Sequence, residues 1–259
     1  MPNLNLAWGS PARAHLLAVA QKWLSLGVDG YRLDYANGPE PDFWVDFRRA
    51  CRQINPECWT FGELTLPADV QRSFGGGMDG ALDFLTCQAL RETFGQRRWS
   101  LARLAGFLQA VQDYFPPEFS RPAFIDNHDM NRFLFMAQGE QRALHAALTL
   151  LYLLPGAPIV YYGTESGLSQ RAGIHDRGAH GLDEARLAMN WEQGGTGPTA
   201  GLLRQLSAFR EANPWLARAR WQLLELDERG QSALFGLTAP GGSLRVRVNL
   251  LSRGEWVSF

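Results

Sequence analysis

Three acids and two bases are the residues best suited to chemistry in this sequence. Asp34 closes the run Gly27-Val28-Asp29-Gly30-Tyr31-Arg32-Leu33-Asp34, Glu63 closes Cys58-Trp59-Thr60-Phe61-Gly62-Glu63, and Asp129 closes Pro122-Ala123-Phe124-Ile125-Asp126-Asn127-His128-Asp129. Each run reads as a short strand ending on a carboxylate. Breaking a glycosidic bond takes two carboxyl groups, one to protonate the leaving oxygen and one to attack or assist at the sugar carbon. Arg32 lies two residues before Asp34, so along a strand both project to one face while Tyr31 and Leu33 project to the other. A fixed positive charge beside Asp34 suits a nucleophile. Glu63 has no basic neighbour in sequence and follows an apolar run, surroundings that suit a proton donor. Asp129 would then orient ring hydroxyls, with His128 bonding to them. Two other readings stay open. The acids could be structural strand-end charges, or Asp34, His128 and Asp129 could surround a metal, although no His-x-His pair supports a metal site.

The elements that would position these groups follow from patterning. Ser10-Pro11 caps a helix carrying Leu16, Ala20, Trp23 and Leu24, and Gly27 stops it. After the Asn37-Gly38-Pro39 turn, Pro41-Asp42 opens a second helix with Phe43, Phe47, Cys51 and Ile54 on one face. Gly75-Gly76-Gly77 is a loop tip without the strand-before, helix-after context of a phosphate cradle. A weak strand at 80–84, helices near 86–94, 100–114, 140–153 and 200–213, and a strand over Pro158–Gly163 continue the alternation. An irregular loop spans 164–197. Such alternation implies a parallel sheet with crossover helices, and in an α/β barrel the carboxyl ends of the strands form the active face. Beyond Pro214 short strands separated by Gly-rich turns take over, at 221–226, 233–237, 244–250 and 256–259. The expected organisation is a barrel part over 1–214 and the start of a β domain over 215–259.

Composition narrows the partners. A chain of 259 residues, 46% hydrophobic and 20% charged, can bury a full core. Its net charge of -1 supplies no basic surface for nucleic acid or an anionic membrane. Cys51, Cys58 and Cys87 are odd in number and lack metal-ligand spacing, which suggests free thiols in a reducing compartment. With no signal-peptide pattern, and with an apolar run at 148–154 too short for a bilayer, a soluble cytoplasmic protein is expected. His15, His145, His175 and His180 stand apart from the acids. Asn127 and Arg132 suit a loop-fixing role and Glu165 a supporting hydrogen bond. Tyr35 and Trp191 suit either sugar stacking or packing.

Five segments, in order, resemble the α-amylase family of glycoside hydrolases, retaining enzymes that act on α-glucans. Met1-Pro2-Asn3-Leu4-Asn5 is similar to the segment before the family's fourth-strand helix, and Gly27–Asp34 to its fourth-strand motif. Phe61-Gly62-Glu63 resembles the fifth-strand motif, Phe124–Asp129 the seventh, and 158–167 the eighth strand. The resemblance implies an incomplete (β/α)8 TIM barrel, strands four to eight, followed by a small antiparallel β domain. It makes Asp34 the nucleophile, Glu63 the acid/base, Asp129 the stabiliser of the transition state, and Arg32 and His128 substrate-site residues. It implies an α-glucan or maltooligosaccharide substrate, with hydrolysis or transglycosylation as the reaction. No cofactor is expected. The family's calcium site, present in many members, has no assignable ligands here. The expectation is a truncated gene or a start codon placed too late, which an in-frame stop immediately before Met1 would count against in its late-start form. A catalytically inactive fragment that binds glucan or a partner subunit is the alternative, and the open barrel edges imply self-association. One departure concerns Arg186: the family often places Asp four residues earlier, where this chain has Leu182, so Asp183 receives no sugar-binding role.

Overall fold

The computed structural model describes residues 4–192, 195–227 and 229–259, and Met1, Pro2 and Asn3 of the first resemblance segment lie outside them. The backbone forms two compact units, one of residues 1–82 with 115–121 and one of 83–114 with 122–259.

In the first unit, Ser10 accepts a hydrogen bond from the Arg13 amide (3.2 Å) and Pro11 starts helix α1, Pro11–Ser25. Strand β1 (Gly30–Leu33) follows, then α2 (Pro41–Ile54), β2 (Trp59–Gly62), a short α3 (Ala68–Ser73) and β3 (Gly80–Ala81). The strands form a parallel sheet in the order β1-β2-β3, with Arg32 opposite Phe61 and Leu33 opposite Gly62. Alternation along β1 works as the sequence implies. Leu33 is buried, and the Tyr31 hydroxyl donates to the Ala20 carbonyl of α1 at 2.6 Å. The Tyr31 ring meets Phe47 of α2 edge-on at 5.5 Å, and Phe47 meets Trp44 at 5.6 Å. Helix α1 is tied to α2 by buried Arg13, which reaches Asp42 at 2.9 Å and Asp46 at 2.7 Å. Asp79 ties α2 to the strands: it accepts from Arg48 and Arg52 of α2 and from the amide and hydroxyl of Thr60.

Close backbone approach fixes one glycine. A Cβ on Gly80 would lie 1.8 Å from the Ser120 carbonyl oxygen, the two residues forming a parallel bridge. Gly80→Ala is therefore expected to cost about 3 kcal/mol, the upper range for overpacking, read as a lower urea midpoint at unchanged slope. A stability equal to the parent would show that the bridge yields freely.

In the second unit, α4 (Phe84–Leu90) runs into a π-helical turn at Arg91–Gly95, followed by α5 (Leu101–Tyr114), a one-turn α6 (Phe133–Met136), α7 (Gln141–Leu153) and α8 (Pro198–Ala212). An antiparallel sheet of β4 (Arg220–Leu226), β5 (Ser232–Ala239), β6 (Gly242–Asn249) and β7 (Val257–Ser258) completes it. Its inward residues Phe235, Leu237, Val246 and Val248 share one core with Leu104, Leu144 and Leu148 of the helices. The segments expected to be strands at 122–129 and 158–163 form no extended ladder. They meet at an isolated parallel bridge, Ala123 to Pro158, through Ala123 N–H to Ala157 O at 3.0 Å and Ile159 N–H to Ala123 O at 2.8 Å.

All three cysteines are free and buried. Burial pushes the Cys51 and Cys87 thiols up to about 12 from an ordinary 9.0. Neutral thiols favour the folded state, so this contribution is full below about pH 9 and falls as pH rises toward 12, because the unfolded chain ionises first. The melting temperature should hold steady below pH 9 and drop above it. Replacing both residues with Ala should flatten the alkaline limb, and an unchanged limb would refute the assignment.

Candidate active site

The parallel register of β1 and β2 brings two of the predicted acids side by side. Glu63 donates its N–H to Leu33 O at 2.9 Å, and Ala36 donates to Glu63 O at 3.1 Å, so the ladder extends one step past both strands. Asp34 and Glu63 therefore stand at adjacent carboxyl ends. Arg32 lies between them. Its Nη1 pairs with Asp34 Oδ1 and its Nη2 with Glu63 Oε2 at 3.1 Å. The Asp34 side chain is 78% exposed and that of Glu63 only 14%. Tyr35, in the left-handed region at φ 43°, points its N–H at Glu63 Oε2 at 3.3 Å. Such a backbone is uncommon for an aromatic residue and is kept where its surroundings hold it. Here the Ala36 and Asn37 contacts to Glu63 and Thr65 do so.

This corrects one expectation. Glu63 is not in apolar surroundings far from a base, because the Arg32 guanidinium touches it as well as Asp34. The in-register pairing of Arg32 with Phe61 explains the difference: Glu63, two residues past Phe61, projects from the same face as Arg32.

The second unit holds the other two predicted residues. Asp129 Oδ2 faces His128 Nε2 at 3.1 Å, and Asp129 Oδ1 accepts from Arg186 Nη2 at 2.7 Å. Arg186 Nε also donates to the His128 carbonyl at 2.9 Å, and the Asp129 amide donates to Asn127 Oδ1 at 2.9 Å. Arg186 is a partner that sequence reasoning did not assign; its charge and the departure at Leu182 were the only signals. The loop that carries it is anchored by Arg132, which is fully buried. Arg132 donates to Ala185 O at 3.0 Å and Tyr162 O at 2.8 Å, with its guanidinium 4.4 Å from the Tyr161 ring centroid. Burial, then the neighbouring Tyr162 hydroxyl, pushes the Tyr161 hydroxyl up to about 12. Burial likewise raises the Asp126 carboxyl against the opposing pull of the Phe133 amide, which donates to it at 2.7 Å. Trp191 is exposed. His145 faces Glu255 at 3.4 Å and Thr199 at 3.1 Å. Among the described residues no group of three or more His, Cys, Asp or Glu could hold a metal ion. No chemical step is assigned to the calcium that the resemblance implies.

Residues 1–220 match the family model of the α-amylase catalytic domain. The chain belongs to the α-amylase family. It is similar to alpha-amylase 2 of Dictyoglomus thermophilum, with 30% identity over 218 residues, covering 83% of this chain and 38% of that protein. The intracellular maltogenic amylase of Bacillus subtilis is 29% identical over 172 residues, covering 65% of this chain and 29% of that protein. Among solved structures, the ligand-free cyclic α-maltosyl-(1→6)-maltose hydrolase of Arthrobacter globiformis superposes with a TM-score of 0.80 at 27% identity, covering 94% of this chain and 53% of that one. That hydrolase has also been solved in complex with its cyclic substrate and with maltose. The chain thus spans about half or less of the length of these proteins. Its parallel strands with crossover helices are part of a TIM barrel, followed by a four-stranded antiparallel sheet.

Proposed function

We propose that this chain carries the catalytic residues of a retaining α-glucan hydrolase or transglycosylase, acting on maltooligosaccharides. The observation that carries the reading is the single guanidinium of Arg32 bridging Asp34 and Glu63 at neighbouring strand ends. One guanidinium reaches two carboxylates only when they lie on the same side of the sheet within a few ångströms, and retaining pairs sit about 5–5.5 Å apart. The first step requires a proton on one carboxyl and a free carboxylate on the other.

In that step Glu63 gives its proton to the glycosidic oxygen, and Asp34 Oδ attacks the anomeric carbon as the bond to the leaving sugar breaks. A glycosyl ester on Asp34 results. Glu63, now a carboxylate, takes a proton from water or from an acceptor sugar's hydroxyl, whose oxygen displaces Asp34. Arg32 loses one of its two anions when the ester forms and regains it on release. Asp129, held by His128 and Arg186, serves as the acceptor for ring hydroxyls, with His128 a further sugar contact.

Turnover of maltotriose and of an aryl α-glucoside by this chain, set against Asp34→Asn, tests the reading. Product formation abolished by Asp34→Asn is the expected result, and activity that survives it ends the nucleophile assignment. A second reading, an inactive chain that only binds glucan, is favoured by the edge of β1, which pairs with β2 alone among the described residues. Maltotriose binding without turnover would select it. The same edge, beside a cavity of about 290 Å³ lined by Leu6, Leu16, Val19, Tyr31 and Phe43, suits a second copy of the chain. Light scattering should show a dimer or larger, and a monodisperse monomer would refute this.

No described helix is long and apolar enough to cross a membrane. A cytoplasmic setting is supported by the buried free thiols and by the intracellular relative.

A further inference from the structure

The last turns of α2 carry Arg48, Arg49, Arg52 and Gln53, and these four line a surface cleft of about 440 Å³ with Val45 and Gly76. No carboxylate is among its lining residues. Asp79 lies behind the cleft and fixes two of the guanidiniums: it accepts from Arg48 Nε and Nη2 at 2.9 and 2.7 Å and from Arg52 Nη2 at 2.7 Å. Arg49 is tied by Nη1 alone, to Asp46 at 3.1 Å, and the Gln53 carbonyl accepts from Gln21 at 3.2 Å. The other donors have no hydrogen-bond partner among the described residues: Arg48 Nη1, Nε and Nη2 of Arg49, Nε and Nη1 of Arg52, and Gln53 Nε2. The ion pairs fall into two groups: Arg48 and Arg52 on Asp79, two positive charges against one negative, and Arg13 and Arg49 with Asp42 and Asp46, which balance.

We infer that this cleft is a binding site for a small phosphate monoester, such as a sugar phosphate. Guanidinium forks match phosphate oxygens in geometry as well as charge. Asp79 orients the Arg48 and Arg52 side chains before any ligand arrives, so less ordering is lost on binding, while the Nε–Nη2 fork of Arg49 stays open to a ligand. The volume lies within the range of small-molecule sites, about 300–1,000 Å³, and exceeds what a bare phosphate fills. The single surplus charge of the Arg48, Arg52 and Asp79 group fits a small anion rather than a polyanion. The cleft stands at the far end of the α2 layer from Asp34 and Glu63. Helix α2 returns the chain from the carboxyl end of β1 to the amino end of β2, and Asp79 precedes β3. The site therefore works independently of the glucan chemistry and needs no assumption about it.

Calorimetric titration of the full chain at constant ionic strength, with glucose 6-phosphate, inorganic phosphate and glucose, tests the assignment. Saturable 1:1 binding of glucose 6-phosphate is expected, with inorganic phosphate competing and glucose failing to compete. Arg49→Gln should weaken binding at least threefold and the Arg49→Gln, Arg52→Gln pair at least tenfold, with circular dichroism unchanged, while Asp34→Asn should have no effect. Because Arg49 is largely exposed, its variant keeps the test valid if the pair misfolds. Unsaturable heats, or affinity untouched by Arg49→Gln, overturn the proposal. So does capture on phosphatidic acid vesicles without glucose 6-phosphate binding, which would place the ligand on a membrane.

Discussion

Under the proposed mechanism, Glu63→Gln should lower turnover of maltotriose by about 10²–10⁴-fold, the range for loss of a positioned general acid, yet have much less effect on release of dinitrophenol from its α-glucoside. The physical reason lies in the leaving group. A sugar alkoxide departs only with a proton delivered to it, whereas dinitrophenolate departs unaided. If Glu63 is the proton source, its removal discriminates sharply between the two substrates. Asp34→Asn, by contrast, removes the attacking atom, and both substrates should lose turnover together. Initial rates for the two variants on the two substrates give four numbers and one pattern. Equal losses for Glu63→Gln on both substrates would reassign Glu63 to binding or orientation. The shared Arg32 makes this outcome informative, because deleting either acid leaves the guanidinium with one carboxylate partner still in place.

Arg132→Met is the largest expected effect on stability. The side chain is fully buried, and Met replaces its apolar stem but not its guanidinium, so the change removes the polar contacts while the stem packing is kept. Tyr162 O loses its side-chain donor, Ala185 O keeps only the Tyr161 hydroxyl at 3.4 Å, and the stack on Tyr161 loses its cation. A lost carbonyl partner costs about 1–3 kcal/mol and a desolvated cation–π contact about 2. Removing a buried charge offsets part of this, leaving a net loss of about 2–4 kcal/mol. Denaturant unfolding measures the net effect. Limited proteolysis supplies a local readout, since the segment from Thr164 to Arg186 should be cut earlier when its anchor at Ala185 is gone. Loss of that anchor also frees Arg186 from Asp129. Unchanged unfolding and unchanged cleavage would show that Arg132 is a passenger in its own pocket.

The segments that bear the acids could be read from the chain because strand-end carboxylates, proline-started helices and glycine stops are local patterns. Helix α1 begins at Pro11 because Ser10 caps it, and α2 buries Phe43, Phe47 and Cys51 because they recur on one helical face. The β-rich tail is equally local, with residues alternating about Gly-rich turns. The runs at 122–129 and 158–163 pair through a single bridge rather than a full ladder, because an apolar run signals burial but does not count ladder bonds.

What the sequence by itself determined is which residues are available and on which local faces they lie: Asp34 with Arg32, Glu63 at its strand end, and Asp129 beside His128. Tertiary structure decided which charges meet. Arg32 serves Glu63 as well as Asp34 because two parallel strands fall into one register, and Arg186 reaches Asp129 because a loop more than fifty residues downstream is pinned at Ala185. Neither pairing is written in local spacing. An ion pair depends on distance through space, and that distance is set by packing between segments far apart in the chain.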